Sequence, residues 1–364
     1  MDDLIKRNKI IVCAGSGGVG KTTVSAALGV RAAELGLRVL VLTIDPAKRL
    51  ATSLGLVPGQ ADEVKVQNFD CDGALFAAAI DPEKIFGEFI KASAKNPEAA
   101  ERLLRNRLYK QLATTFSGSQ EFTSLERLAV AAESASYDLV ILDTPPAQHA
   151  LEFLEAPAKI YALFQDSITK WFVGGGQSSG LFQKFVGSST RTVFRALEKV
   201  TGSQFIGELT DFFASIRSVQ ERVSERSQQV DKLLKSEQTG FVLITGFDEA
   251  KLKETEGFNR ELKKSGYNLQ AVVVNRAFPV WMSSERIQWR QSHEADLMAR
   301  LEQFYQKFLS YHQNRQAVYD SFQKNLSDQL PLIRIPDMNK DIYGIDGLKL
   351  LAEEINKRFN DVAT

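Results

Sequence analysis

Residues 9–23 read KIIVCAGSGGVGKTT, and how this stretch is read decides the fold. Ile10 to Ala14 are apolar without alternation, the pattern of a short strand buried on both faces. They run into Gly15-Ser16-Gly17-Gly18-Val19-Gly20-Lys21-Thr22, which fits G-x-x-x-x-G-K-[ST]. VSAALGVRAAELG follows from Val24, an apolar-striped helix sequence with Gly36 as its stop. Strand, glycine loop and helix in this order are the context that the motif requires. Glycines let the backbone curve so that successive amide N–H groups point at a polyphosphate. The start of the helix adds its own unpaired N–H groups and positive dipole end. Lys21 reaches the β- and γ-phosphates, and the Thr22 hydroxyl takes one position on Mg²⁺. A glycine-rich turn with a chance lysine would lack the matching strand and helix. The stretch reads as a nucleotide site.

The chain has 364 residues, which suits two domains or one large α/β unit with an insertion. Its 44% apolar and 25% charged residues are ordinary for a globular protein in water. The formal net charge is zero, so composition carries no general pull towards nucleic acid or anionic lipid. No nucleic-acid partner is expected, and membrane contact is expected only through a partner. Cys13 and Cys71 are far apart and no C-x-x-C occurs, so neither zinc nor an iron–sulfur cluster is expected. Both cysteines read as small core residues in a reducing compartment. MDDLIKRNK lacks the apolar core of a signal peptide, and no run of 18 apolar residues occurs. A cytoplasmic chain is the expectation.

Beyond the first helix, Arg38 to Ile44 reads as a second buried strand ending at Asp45-Pro46. Asp45 is read either as an acid beside the phosphate loop or as a helix N-cap. Leu75 to Ile80 reads as a third strand, with Asp81-Pro82 opening a helix. Residues 83–136 are helical, interrupted at Asn96-Pro97 and Ser117-Gly118. Asp138 to Leu142 is a strand with Asp143 at its carboxyl end, the Walker B pattern in which the carboxylate supports Mg²⁺. Thr144-Pro145-Pro146 should leave regular structure as a mobile loop. FVLITG (241–246) and AVVVN (271–275) are further buried strands with a helix between them, and PLIRIPD (331–337) is the last. Strands apolar on both faces and alternating with helices predict an α/β P-loop fold, with a doubly wound, mostly parallel sheet and an inserted helical subdomain. The core is assigned to residues 1–82, 137–150, 237–280 and 327–364, the helical subdomain to 83–136 and 151–236, and a further helical insertion to 281–326.

Nine of the 23 phenylalanines fall between Phe153 and Phe213, a segment broken by Gly174-Gly175-Gly176. They either fill a helical core or line an apolar groove, with Phe164, Phe182, Phe185 and Phe194 the candidate groove residues. In 281–326, Leu297, Leu301, Phe304, Phe308 and Tyr311 follow a 3.5 period over two heptads, which predicts an antiparallel helix pair inside the protein.

GSGGVGKTT, TIDPAKRLATSLG and DTPPAQHALEFL together closely resemble the family of arsenite-pump ATPases and tail-anchored-protein-targeting ATPases (ArsA-type), a member of the MinD/ParA/nitrogenase-iron-protein branch of P-loop NTPases. The resemblance covers most of the chain and implies an ATPase using ATP and Mg²⁺, with a homodimer at least transiently. It implies that Gly15, Ser16, Gly17, Gly18, Val19, Gly20, Lys21, Thr22 and Thr23 hold the phosphates, with Lys21 and Asp45 catalytic and Asp45 polarising the attacking water. Thr22, Asp45 and Asp143 would serve the metal. Asp143, Pro146 and His149 would form switch II, and Asn275, Arg276, Pro336 and Asp337 would enclose the base. Three departures stand out. Ser16 occupies the place of a lysine that reaches across the family's dimer, which predicts slower turnover than a lysine would give, unless Lys48 or Arg49 substitutes. The zinc-clasping C-x-x-C after Asn275 is missing, and so is the arsenite cysteine cluster.

The resemblance leaves two functions open. The first is a switch that couples nucleotide state to movement of the helical subdomain and holds or targets a hydrophobic membrane-helix client. The alternative is a MinD/ParA-like regulatory or positioning ATPase acting on a folded protein assembly. Such a protein would be marked by a terminal basic amphipathic helix, whereas GLKLLAEEINKRF mixes acids with bases.

Overall fold

A computed structural model describes residues 1–44, 54, 63–67, 69–94, 96–106, 117–163, 212, 219–277, 295–326, 330–338 and 342–363. Among them, eight strands form one sheet: β1 Ile10–Gly15, β2 Arg38–Thr43, β3 Val64–Lys65, β4 Ala74–Ala79, β5 Leu139–Pro146, β6 Thr239–Gly246, β7 Leu269–Ala277 and β8 Leu332–Pro336. Their order is β3-β4-β2-β5-β1-β6-β7-β8. Every pairing is parallel except β3 with β4. The fold is α/β with a mostly parallel sheet. The two-residue β3 carries no periodic signal, which is why the sequence does not announce it.

Continuous apolar runs become central strands because a parallel sheet is covered on both faces. All six residues of β1 are buried. It lies between β5 and β6, with Ile11 opposite Ile141 and Val12 opposite Phe241. From β1 the chain goes one way to β2 and β4, and from β6 the other way to β7 and β8. The strand order therefore reverses at β1, where open α/β sheets place their ligands beyond the carboxyl ends.

Two helices at the start of the chain flank β1, namely α1 (Asp2–Arg7) and α2 (Lys21–Glu34). Val24, Ala27, Leu28 and Val30 of α2 share one core with Val41, Ile141, Ile244 and Val273 of the sheet. The closing helix Gly344–Ala363 adds Leu348, Leu351 and Ile355 to it. At ~25 cal/mol per Å², each such side chain contributes roughly 1.5–3 kcal/mol by leaving water.

Proline does not end β5. The predicted loop at Thr144-Pro145-Pro146 is instead the end of the strand, with Pro146 opposite Gly15 after a register shift. Pairing with β2 stops at Thr43 opposite Asp143, so on that side the two prolines face no ladder that needs an N–H.

The chain divides into two compact units. The first holds residues 1–79, 131–151 and 235–364, and so the whole sheet; the second holds 80–130 and 152–234. In the second unit, Asp81 and Asn96 cap helices Pro82–Ser93 and Pro97–Arg105 by accepting from the N–H groups of Lys84 and Ala99. Each helix also starts with the proline that suits its first position. The core of this unit is aromatic: Phe86, Phe89, Phe122 and Phe212 pack with Leu103 and Val223, and Phe89 meets Phe122 edge-on at 5.2 Å. Arg226 donates through Nε to both oxygens of Glu126, at 3.0 and 2.7 Å.

The seam predicted inside the protein is not buried. In helix Ala295–Asn325, Leu297 is 47%, Phe304 70% and Tyr311 49% exposed. The residues buried on this helix are His312, Tyr319 and Phe322, a stripe rotated from the seam. Spacing sets the period of an apolar stripe but not which stripe a neighbour covers.

Candidate functional site

The phosphate loop hangs between β1 and α2, and its glycines are forced by geometry. A Cβ on Gly15 would lie 1.8 Å from the Ile244 carbonyl oxygen of β6, so the loop leaves the sheet where no side chain fits. Gly20 caps α2 at φ 91°, a left-handed conformation, and a Cβ there would lie 2.5 Å from Asn275 Nδ2. No side chain caps the start of α2 and no acid sits in its first turn. Its N–H groups and positive dipole end are thus left for an anion.

Five predicted side chains converge here, those of Lys21, Thr22, Asp143, Pro146 and Asn275. Lys21 is buried, and its Nζ donates to the Ser16 carbonyl at 2.9 Å. The Thr22 hydroxyl donates to Asp143 Oδ2 at 2.6 Å, which joins the start of α2 to the end of β5. Asn275 Nδ2 donates to the Val19 carbonyl at 2.8 Å, so this amide braces the loop itself. A Cβ on Gly17 would come within 3.9 Å of Pro146, which puts the predicted switch residue Pro146 beside the loop.

Arg276 has φ 53°, the only positive value on a non-glycine residue among the described residues. The β7–β8 register shifts there, leaving Asn275 buried and Arg276 exposed. Ala277 then pairs with Pro336, and the Asp337 N–H donates to the Ala277 carbonyl at 2.6 Å. Pro336 and Asp337 are thus held two residues from Asn275 along the β7–β8 edge. His149 lies in helix Ala147–Leu154. Asp45, Phe164, Phe182, Phe185 and Phe194 lie outside the described residues.

Two hydroxyls escaped the sequence reading. Thr43, buried at the end of β2, donates to Asp143 Oδ2 at 3.2 Å, and Thr144 donates to the Cys13 carbonyl at 3.0 Å. The signal was their place at the carboxyl ends of strands, in TID and DTP. Beneath the loop, burial pushes the Cys13 thiol up to about 12, so it serves as an apolar core group.

A hydroxyl and a carboxylate oxygen 2.6 Å apart at a helix N-terminus are hard donors of the kind Mg²⁺ takes beside substrate phosphates. Thr22 and Asp143 therefore fit the metal a nucleotide brings with it. Among the described residues no group of three or more His, Cys, Asp or Glu side chains is disposed to hold a metal ion.

The sequence profile of the anion-transporting ATPases matches residues 8–311. The chain belongs to that family. It is an ATPase. The match begins before β1 and takes in the loop, Asp143 and Asn275 alike. Among its relatives, "ATPase GET3" of Malassezia globosa is 28% identical over 74% of this chain and 73% of its own length. Its counterpart in Podospora anserina is 28% identical over 82% of each chain. "Putative arsenical pump-driving ATPase 1" of Aquifex aeolicus is 25% identical over 95% of this chain and 78% of its own.

Proposed function

We propose that this anion-transporting-family ATPase is a switch that couples the state of its nucleotide to movement of the helical segments 83–136 and 151–236, and that it holds or targets a hydrophobic membrane-helix client. One observation carries the reading. Asp143, bonded to Thr22 at the phosphate loop, lies four residues before helix Ala147–Leu154, along which the chain passes from the first compact unit into the second. A change at the terminal phosphate that alters the Thr22–Asp143 contact is passed along this covalent path.

In this proposal Gly15 to Thr23 cradle the phosphates, and Lys21 neutralises charge developing on the γ-phosphate. Asp45 orients the attacking water, and Asp143, Pro146 and His149 report the presence of that phosphate. Asn275, Arg276, Pro336 and Asp337 enclose the adenine. When bound, Mg²⁺ compensates phosphate charge; Thr22 and Asp143 supply the oxygens that hold it. Positioning and charge compensation are most of what phosphoryl transfer asks of a protein. The active form is a homodimer, at least transiently.

The test uses Asp45→Asn protein, expected to bind Mg·ATP and stall before hydrolysis. It is co-expressed with tagged single-helix membrane proteins, with Lys21→Ala as the blank. ATP-dependent capture, lost when Phe164, Phe182, Phe185 and Phe194 are made polar, is the expected result. Nucleotide binding without capture of any of them would overturn the client and leave a regulatory ATPase acting on a folded protein.

A further inference from the structure

After Val39 to Leu42, all apolar and buried, strand β2 ends on a buried polar residue, Thr43, which is 4% exposed. Valine would fill the same space and suits a strand equally well, so the hydroxyl is what sets this residue apart. Pairing between β2 and β5 ends with Thr43 opposite Asp143, which puts the two side chains on one face of the sheet. There the Thr43 hydroxyl donates to Asp143 Oδ2 at 3.2 Å, the same oxygen that accepts from Thr22 at 2.6 Å. One carboxylate oxygen is thus gripped from two elements, the end of β2 and the start of α2. An aspartate needs such grips, because its terminal torsion is broad and its own rotamer does not fix the plane of the carboxylate.

We propose that Thr43 is a positioning residue for the metal that accompanies the nucleotide, its hydroxyl holding the Asp143 carboxylate in the orientation that serves Mg²⁺. The inference rests on reading Thr22 and Asp143 as the oxygens beside that metal. In that reading Thr22 has two tasks, its oxygen meeting the metal while its proton goes to Asp143. Thr43 has one, which is to keep the carboxylate oriented whether the site is loaded or not. A partner that holds a metal's ligand in this way is worth about tenfold to a hundredfold in metal affinity.

The experiment titrates full-length wild-type, Thr43→Val, Thr43→Ser and Thr43→Ala proteins with ATP in a calorimeter, once with Mg²⁺ and once with EDTA, with melting curves to confirm folding. The quantity read is the gain in ATP affinity that Mg²⁺ brings. In Thr43→Val this gain should fall about tenfold, the lower end of the range because a bond of 3.2 Å is long for a hydroxyl donor. Affinity for metal-free ATP should stay within about twofold, less than one hydrogen bond is worth. Thr43→Ser keeps the donor and should restore the gain, and Thr43→Ala stands in if the valine protein does not fold. A gain in Thr43→Val within about threefold of wild type, short of the loss of such a partner, would overturn the proposal. So would an equal loss with and without Mg²⁺, which marks general damage to the site. Thr43→Ser as defective as Thr43→Val would overturn it too, by tracing the loss to the shape of the side chain rather than its hydroxyl. If wild type itself gains nothing from Mg²⁺, the reading of Thr22 and Asp143 falls, and the inference with it.

Discussion

At the scale of single residues, the phosphate loop shows how far backbone sterics constrain chemistry. Gly20 must be glycine for two independent reasons, its left-handed φ of 91° and the Asn275 amide 2.5 Å from where a Cβ would stand. Gly20→Ala is expected to destabilise the protein by about 1–3 kcal/mol through the strained conformation alone. It should also displace Asn275 from Val19 and weaken Mg·ATP binding by at least about tenfold, given the bonds at stake. Thermal melts and titration on the same sample check both effects. The glycine spacing and Lys21 could be read directly from the sequence, because the loop is local and its motif reports local geometry. The bonds from Asn275 to Val19 and from Thr43 to Asp143 could not, since each joins residues at least 100 positions apart.

At the scale of elements, strands were easier to read than the segments that leave them. Apolar runs mark β1, β2, β6 and β7 because both faces of each are covered. The run of prolines after Asp143 reads as a loop, yet continues β5 because its partner on one side has already ended. Helix Ala295–Asn325 makes the same point about packing. Its docked stripe includes His312, stacked 6.5 Å from Phe247, and Arg334 lies 4.8 Å over the same ring. Burial, together with the nearby Arg334 charge, holds the His312 imidazole below the usual histidine range. In the unfolded chain it takes up a proton at about pH 6.5. The stability it contributes is therefore intact above that pH and is lost as pH falls below it, where only the unfolded form is protonated. Melting temperature is expected to drop between about pH 7.5 and 5.5, and to drop less in His312→Gln. An equal drop in the variant would assign the effect to other groups.

At the scale of the whole molecule, the two units have separate cores. Phe122 is fully buried in the aromatic core of the second unit, with Phe89 edge-on against it. Phe122→Ala should cost about 3–5 kcal/mol, the usual range for a buried phenylalanine. Hydrogen exchange should quicken in helices Pro82–Ser93 and Ser117–Glu133. Residues of β1 and α2 should keep their protection, and Mg·ATP binding should stay within about threefold, below the loss of one hydrogen bond. Loss of nucleotide binding in the folded variant would show that the second unit supports the loop.

The sequence by itself determined the parallel α/β class, the phosphate loop with its lysine and threonine, and the acid at the end of β5. Each is written in neighbouring residues, as a period, a glycine spacing or a strand end. Only the tertiary structure decided that Asn275 braces the loop and that Thr43 shares Asp143 with Thr22. It also decided that the Phe304 stripe faces outward while the His312 stripe docks. These facts depend on which distant residues share a neighbourhood, and a repeating pattern along one chain carries no record of what packs against it.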